Sequence, residues 1–214
     1  MSFFITFEGV EGCGKTTQAR MLADYLRAKG FSVFTTREPG GTSIGNSIRK
    51  ILLAPGNKDM NFYTELYLYV AARVQHVEEV IIPHLQQESI VICDRFSDAT
   101  KAYQGYGRGM PLALIKKLHA AKPLSLKPDI TFLLDVDHTI ALRRARKRNS
   151  AKQSLLREGR VESESLSFHS RIREGYLKIA RTEKKRVKVV DASKSIKSVH
   201  TNITRIMDQF LKSS

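Results

Sequence analysis

The sequence is poor in cysteine and lacks long apolar runs. Its two cysteines, Cys13 and Cys93, are too few for a disulfide framework and are not at metal-ligand spacing. No apolar stretch approaches the roughly 18 residues that a membrane-spanning helix needs. The first residues, MSFFITFEG, show neither a positively charged segment nor a small-residue cleavage site, so we expect no signal peptide. These absences predict a protein of the cytoplasm, outside any membrane, with reduced thiols.

Acidic residues are scarce relative to basic ones. The chain carries 36 Lys and Arg against 21 Asp and Glu, a formal net charge of +15. Residues 143–188 hold a net +11 of that excess. A basic helix face is usually only solvated, and a surface that binds phosphate can serve a small nucleotide as well as a nucleic acid. Charge alone therefore leaves both classes of ligand open.

Short apolar runs alternate with amphipathic patterns along the chain. Such alternation predicts βαβ units and an α/β fold, in which a five-stranded parallel sheet is flanked by helices on both faces. The predicted strands are FFITF (3–7), FSVFT (31–35), SIVIC (89–93), ITFLLDV (130–136) and VKVVD (187–191). The predicted helices span about 15–29, 43–53, 62–87, 111–121, 137–148, 163–184 and 196–212. The segment 149–170 is rich in serine and charge, which is typical of a mobile flap.

The stretch GVEGCGKT, after the first predicted strand and before the first helix, fits the pattern G-x-x-x-x-G-K-[ST]. Its glycines allow backbone N–H groups to surround two phosphates, while Lys15 reaches the terminal phosphates and the Thr16 hydroxyl binds Mg²⁺. The alternative is a glycine turn with a chance lysine, which the strand and helix around it disfavour. The predicted nucleoside triphosphate site comprises Gly9, Val10, Glu11, Gly12, Cys13, Gly14, Lys15, Thr16 and Thr17.

Charged residues also follow the second and third predicted strands. In open α/β sheets the ligand lies beyond the carboxyl ends of the strands, so 36–42 and Asp94-Arg95-Phe96 should face the phosphate loop. Arg95 is suited to bridging donor and acceptor phosphates as negative charge spreads over a transferring group. Asp94 is suited to holding Mg²⁺ or its water ligands. The alternative, a surface ion pair, is disfavoured because the preceding strand reads as buried.

Five motifs in order carry a resemblance to a known family. They are FEGVEGCGKTTQ, TREPGGT, YVAAR (69–73), DRFSDATKAYQGYGRG and Arg160-Val161-Glu162. Together they resemble the bacterial thymidylate kinases, which are nucleoside monophosphate kinases. Matches run from residue 3 to about 176, with a weaker one at 191–193. The phosphate loop alone is common to many families, whereas the co-occurrence of the narrower motifs is specific.

The resemblance implies a single domain over 1–214 with the P-loop kinase fold. The implied reaction takes ATP and dTMP to ADP and dTDP in dTTP biosynthesis, with Mg²⁺. The acceptor would bind in about 37–76 and 94–108, and a short mobile lid would span about 147–162. The family forms homodimers, and the helix predicted at 62–87 carries apolar groups on more than one face.

The resemblance also implies residues that read the base and the sugar. Arg73 would hydrogen-bond the thymine edge, and Tyr69, where the family usually has Phe, would stack on the ring. Thr100 and Gln104, one turn apart on a helix after Arg95, would read the base edge. Tyr103 would crowd the 2′ position and favour deoxyribose. On periodicity alone, the two tyrosines could equally be core residues and Arg73 could be solvated.

A further group of residues is implied around the phosphates. Arg49, Arg95 and Glu38 would surround the acceptor phosphate, with Glu38 orienting arginines. Glu11 would face the sugar 3′-hydroxyl, and Glu162 would assist there or at the metal.

Some members carry an arginine inside the phosphate loop, where this chain has Gly12. The lid should therefore supply the arginine, with Arg160 the first candidate and Arg157 the second. Lys15, Arg95 and Arg160 form the expected catalytic set, and Arg143 could lie along ATP. The usual Asp before the lid arginine is Gly159 here, so this part departs from the family pattern.

Two alternatives remain at this stage. One is a kinase acting on another nucleoside monophosphate or on a deoxynucleoside. The other is an ATP-dependent switch or nucleic-acid-binding protein that uses the basic segment. The second leaves TREPGG and DRFSDATKAYQG unexplained, so nucleic acid is a disfavoured partner.

Overall fold

The computed structural model describes residues 2–151 and 159–213, with the side chains of 146–151 left aside. Its centre is a parallel sheet of five strands in the order β2-β3-β1-β4-β5. The predicted parallel sheet is therefore confirmed. The strands are β1 (Phe4–Glu8), β2 (Val33–Arg37), β3 (Ile90–Asp94), β4 (Ile130–Asp135) and β5 (Val187–Asp191).

Helices cover both faces of the sheet. They are α1 (Lys15–Ala28), α2 (Ser43–Leu53), α3 (Phe62–His76), α4 (Ile82–Gln86), α5 (Ser97–Thr100), α6 (Leu112–Ala120), α7 (His138–Ala151), α8 (Leu166–Thr182) and α9 (Ile196–Ser213). Polar caps set several starts, because a side-chain oxygen satisfies an N–H that the first turn leaves unpaired. Thr42 accepts from Gly45 N before α2, Asn61 accepts from Tyr63 N before α3, and Ser165 accepts from Phe168 N before α8.

Two predicted helical regions differ from the structure. The range 62–87 is divided, because a π-helical segment, Val77–Ile81, separates α3 from α4. Pro83 lies in the first turn of α4, and a proline cannot donate to the preceding turn, so a wider turn ahead of it is favourable.

Residues 97–107 lie in none of the predicted helical ranges, although the expected spacing of Thr100 and Gln104 requires a helix there. In the structure α5 continues into a π-helical segment, Lys101–Gly107. π-Helical spacing departs from the 3.6-residue period, and two glycines lower the helix propensity, so the apolar pattern is weak there.

The sheet is buried on both faces. On one face the rings of Phe7 and Phe132 stack with centroids 5.3 Å apart. On the other face Phe4 packs edge-on against Phe96, with centroids 4.8 Å apart. Burial of such aromatic rings is a large favourable term in folding.

The glycines at 107 and 175 let α8 approach the segment after α5 closely. A Cβ at Gly107 would lie 2.8 Å from the Phe168 ring, and one at Gly175 would lie 2.5 Å from the Tyr106 ring. Only a residue without Cβ permits these contacts. The helix that follows the predicted lid is thus packed against the segment after α5.

Within the residues that the structure describes, no helix is long and apolar enough to cross a membrane. Cys13 and Cys93 are both buried and free. Most of the predicted lid, about 147–162, lies outside the described side chains.

Candidate active site

The phosphate loop connects β1 to α1 and is pressed between β4 and α7. Gly9, Gly12 and Gly14 all have positive φ, at 138°, 79° and 102°. A Cβ at Gly9 would lie 2.6 Å from the Leu134 carbonyl oxygen, and one at Gly12 would lie 2.0 Å from the Ala141 carbonyl oxygen. Glycine is therefore required at the first two positions by both conformation and space. An arginine in place of Gly12 would collide with α7.

The cationic end of the loop is Lys15, the first residue of α1. Its ammonium donates to the carbonyl oxygens of Gly9 (3.2 Å) and Val10 (2.9 Å). Gly14 precedes α1 without a side-chain cap. The first N–H groups of α1 are therefore not capped by that residue, and such a helix N-terminus favours an anion. Thr17, in the same first turn, is half-buried.

The carboxyl end of β3 lies beside the start of α1. The Thr16 hydroxyl donates to Asp94 Oδ2 at 2.5 Å. A hydroxyl and a carboxylate are hard oxygen ligands of the kind that Mg²⁺ prefers, and Mg²⁺ completes its shell with water and phosphate oxygens. No group of three or more His, Cys, Asp or Glu in the described residues could hold a metal by itself. The pair therefore fits a Mg²⁺ ion that arrives with a nucleotide.

Arg95, directly after β3, contacts both the phosphate loop and the helical segment that follows α5. Its guanidinium donates to Gly9 O (2.9 Å) and Glu11 Oε1 (2.8 Å) in the loop. It also donates to the Tyr103 hydroxyl (2.9 Å) and lies over that ring, 4.9 Å from its centroid. The sequence-predicted residues Glu11, Arg95 and Tyr103 therefore form one contiguous cluster.

Arg73 occupies a buried polar site between α3, β2 and α5. Its side chain, 2% exposed, pairs with Glu38 at 2.7 Å. It also donates to Thr100 Oγ1 (3.0 Å) and to the Phe96 carbonyl oxygen (3.0 Å). Arg73, Glu38 and Thr100 are thus brought together. The alternative that Arg73 is a solvated arginine is therefore wrong.

His119, which the sequence analysis did not single out, also contacts Arg73. Its Nε2 accepts from Arg73 Nη1 at 2.9 Å, so this ring nitrogen is unprotonated. Burial first, and then the charge of Arg73, lowers the pKa of His119 to about 3. A histidine on a helix outside every motif offered no signal from which this contact could have been predicted.

Glu65 lies at the centre of a cluster of hydrogen-bonding side chains that includes two predicted residues. It accepts from Gln104 Nε2 (2.8 Å) and pairs with Arg160 (2.6 Å) and Arg108 (3.2 Å). Burial alone would raise the pKa of Glu65, but the Gln104 hydrogen bond and the Arg108 charge outweigh it and hold that pKa below its usual value. Glu65 lies one turn before Tyr69 on the same face of α3, a spacing that could have identified it.

Arg160 is 3% exposed. Besides pairing with Glu65, its Nε donates to the Leu52 carbonyl oxygen at 2.6 Å. The first candidate lid arginine is therefore bonded to the last turn of α2 and to the first turn of α3. The second candidate, Arg157, lies outside the described residues.

The remaining predicted residues are dispersed around this core. Arg49 donates to the Pro39 carbonyl oxygen at 3.0 Å, against the TREPGG segment. Tyr69 is half-buried on α3, where burial first and the Glu65 charge second raise its pKa to about 12. Glu162 is half-buried beyond Arg160, and Arg143 is exposed on α7.

The structure reveals a buried carboxylate beneath this site. Glu8, the last residue of β1, is 1% exposed and accepts hydrogen bonds from Phe96 N (2.7 Å) and from the Tyr176 hydroxyl (2.7 Å). Burial first, and then the neighbouring charge of Asp98, raises the pKa of Glu8 to about 7. An acidic residue that ends an otherwise apolar strand was the available signal.

Comparisons with known proteins agree on one family. The family profile described as thymidylate kinase matches residues 7–203. Among curated proteins, the chain is 52% identical to the thymidylate kinase of Syntrophotalea carbinolica over 199 residues, covering 93% of this chain and 92% of that one. It is 50% identical to the thymidylate kinase of Geotalea daltonii over 204 residues, or 95% of each chain.

A solved structure is similar over nearly the whole length. The crystal structure of thymidylate kinase from Ehrlichia chaffeensis superposes with a TM-score of 0.74 at 36% identity. The superposition covers 96% of this chain and 98% of that one.

The raised pKa of Glu8 predicts a pH-dependent contribution to stability. Its folded pKa of about 7 exceeds its ordinary value of 4.5, so the folded protein holds this proton more tightly. The contribution is fully present below about pH 4.5 and is lost as the pH rises through 7. Relative to Glu8→Gln, which does not titrate, the wild type should lose about 1 to 3 kcal/mol of unfolding free energy between pH 5 and pH 8.

Urea unfolding of the two proteins across this range measures the effect. Because both proteins contain the other titrating groups, the contributions of those groups cancel in the difference between the two unfolding free energies. Glu174→Gln, an exposed change on α8, serves as the control, and its difference from wild type should not vary with pH. A pH-independent difference for Glu8→Gln as well would contradict the shifted pKa.

Proposed function

Because this chain belongs to the thymidylate kinase family, we propose that it transfers the γ-phosphoryl group of ATP to dTMP, giving ADP and dTDP. It is a nucleoside monophosphate kinase, a phosphotransferase. The observation that carries the proposed mechanism is Arg95, whose guanidinium contacts the phosphate loop at Gly9 and Glu11 and the acceptor side at Tyr103. A group placed between the two sides is positioned to serve both substrates.

In this reaction an oxygen of the acceptor phosphate attacks the γ-phosphorus. The bond from that phosphorus to the β–γ bridging oxygen breaks, and ADP leaves with the electron pair. Negative charge spreads over the transferring group, so catalysis consists largely of positioning and electrostatic stabilisation. Lys15 and Arg95 are proposed for this role, with Arg160 as the candidate from the lid.

Lys15 would act on the donor side. Its ammonium already lies at the phosphate loop through the Gly9 and Val10 carbonyl oxygens. When ATP enters, phosphate oxygens replace part of this contact, and the backbone N–H groups of residues 9–17 surround the phosphates. Arg143, exposed on α7, is proposed to lie along the same nucleotide.

Arg73 and its neighbours would bind the acceptor base. The buried pair with Glu38 and the contact with Thr100 hold the guanidinium in one orientation. An arginine oriented in this way can present a remaining N–H to the thymine edge, with Gln104 as a second reader. Tyr69, half-buried one turn before Arg73 on α3, would stack on the ring.

The sugar and phosphate of the acceptor would lie near Arg95. Glu11 and Tyr103 both contact that arginine, which supports their proposed roles at the 3′-hydroxyl and at the 2′ position. Arg49, beside the TREPGG segment, is proposed to bind the acceptor phosphate. Glu162 is proposed to assist at the 3′-hydroxyl.

The lid is proposed to span about 147–162, with Arg160 as its candidate catalytic arginine. To reach the phosphates, Arg160 would have to leave a buried ion pair with Glu65, and breaking such a pair is costly. The geometry therefore supports Arg160 more strongly as an anchor between the lid and α3.

Thr16 and Asp94 would hold Mg²⁺ together with the nucleotide. The ion would neutralise phosphate charge during transfer. The support is their direct contact at the strand end, next to the helix that begins at Lys15.

Replacing Arg95 by alanine should lower kcat by about 10²-fold or more, because the charge that counters the transferring group is lost. A coupled ADP-release assay with ATP, Mg²⁺ and dTMP measures it. Arg205→Ala, on the exposed side of α9, is the control and should retain wild-type activity. Unchanged activity of Arg95→Ala would contradict the proposed role.

The same assay tests the acceptor. Among the monophosphates of thymidine, uridine, cytidine, guanosine and adenosine, the thymidine compound should give the highest kcat/KM. Preference for another monophosphate would make the chain a related kinase. ADP release stimulated by DNA and by none of these acceptors would favour the nucleic-acid alternative.

Asp94→Asn should raise the Mg²⁺ concentration needed for half-maximal activity by roughly tenfold or more, because a carboxylate near the ion is lost. Activity is measured against free Mg²⁺ at saturating ATP. Asp24→Asn, an exposed change on α1, is the matched control. An unshifted Mg²⁺ profile for Asp94→Asn would exclude Asp94 from the metal site.

We also propose that residues 1–214 act as a single domain that forms a homodimer in the cytoplasm. Supporting the dimer, Tyr63, Tyr67 and Val74 lie on one face of α3, and each is at least 36% exposed. Ile44 and Ile51 of the adjoining α2 are exposed beside them. A surface patch of this kind is typical of a protein interface. The two buried, free cysteines are consistent with a reducing compartment.

Light scattering at micromolar concentration should give twice the mass of one chain. Tyr67→Glu should shift the mass toward the monomer, because it places a charge in the interface. Ile196→Glu, at an apolar position that is also more than half exposed, at the start of α9, should not shift the mass. A monomeric mass for the wild type would contradict the dimer.

A further inference from the structure

Arg95 adopts a backbone conformation that arginine normally avoids. Its φ is 73°, in the left-handed region, where a side chain costs of order 1 kcal/mol or more. Such a conformation persists when the surroundings hold it. The Arg95 N–H donates to the Phe7 carbonyl oxygen at 2.9 Å, which continues the β1–β3 pairing by one residue.

The next backbone N–H is held by the side chain of Glu8. The Phe96 N–H donates to Glu8 Oε1 at 2.7 Å, and the Ala99 N–H approaches the same oxygen at 3.3 Å. In its ionised form, a carboxylate accepts a backbone hydrogen bond more strongly than a neutral group does. Phe7 and Glu8, adjacent residues of β1, therefore fix the backbone on either side of the strained Arg95.

Tyr176 connects the same carboxylate to the arginine side chain. Its hydroxyl donates to Glu8 Oε2 at 2.7 Å and accepts from Arg95 Nη1 at 3.2 Å. Tyr176 is 2% exposed, so these contacts exchange little with water. A hydroxyl that already donates to a carboxylate is polarised into a better acceptor. The guanidinium is thereby oriented through a neutral group, without a direct ion pair to Glu8.

We propose that Glu8 and Tyr176 are positioning residues for Arg95 in phosphoryl transfer. Glu8 sets the backbone from which the side chain leaves, and Tyr176 sets the direction of the guanidinium. Tyr176 belongs to α8, the helix after the lid, so docking of that helix completes the alignment. The inference rests on the proposed role of Arg95.

Tyr176→Phe removes the hydroxyl and keeps the buried ring. It should lower kcat by about 3- to 10-fold, the factor that one hydrogen bond is worth, with the KM for ATP unchanged. Tyr25→Phe is the matched control, because Tyr25 also donates its hydroxyl to a carboxylate, that of Asp208 at 2.8 Å, and it is remote from Arg95 in the fold. It should leave kcat unchanged.

A double-mutant cycle with Arg95→Ala separates positioning from general structure. If Tyr176 acts through Arg95, Tyr176→Phe should have no further effect on kcat in the Arg95→Ala protein. An equal loss in both backgrounds, or no loss in either, would overturn the inference. Glu8→Gln, which keeps an acceptor for Phe96 but loses the carboxylate, should likewise affect kcat only when Arg95 is present.

The proposed function and the inference fail in distinguishable ways. If Arg95→Ala retains wild-type kcat, the role of Arg95 is wrong and the inference falls with it. If Arg95→Ala is impaired and Tyr176→Phe is fully active, the proposed function stands and only the positioning role is overturned.

Discussion

The parallel alignment of β1 between β3 and β4 is the constraint on which the site depends. Phe7 lies opposite Asp94 on one side and Phe132 on the other, so β1 and β3 end at the same edge. The phosphate loop follows β1, and the Asp94-Arg95 pair lies at the end of β3. The phosphate loop and Arg95 are therefore neighbours because parallel strands carry their carboxyl ends together, although more than 80 residues separate Glu11 from Arg95 along the chain.

Buried and half-buried carboxylates organise the basic residues of this strongly cationic protein. Glu11 contacts Arg95, Glu38 pairs with Arg73, and Glu65 pairs with Arg160 and Arg108. In a buried setting an unpaired charge is costly, so each acid stabilises an arginine that would otherwise be poorly solvated. The acids also orient the guanidinium planes. Part of the positive charge is thus held in ion pairs around the candidate site.

Much of the site could be predicted because its parts are local. A glycine-rich loop between a strand and a helix has a predictable backbone conformation. A charged residue directly after a buried strand lies at a predictable edge of the sheet. Arg73 and Thr100 were identified through motif resemblance, and the structure brings them within 3.0 Å. Glu8, Glu65 and His119 were missed, because each acts through a partner far away in sequence.

The sequence by itself determined the fold class and the family, because hydrophobic period and short motifs are properties of neighbouring residues. It also indicated which residue types would be found at the phosphates. Only the tertiary structure decided which side chains pair, as in the ion pair of Arg160 with Glu65 and the hydrogen bond from Tyr176 to Glu8. Long side chains contact helices and strands that are not adjacent along the chain. Their partners are selected by packing and by the free energy of burying charge, which no local pattern encodes.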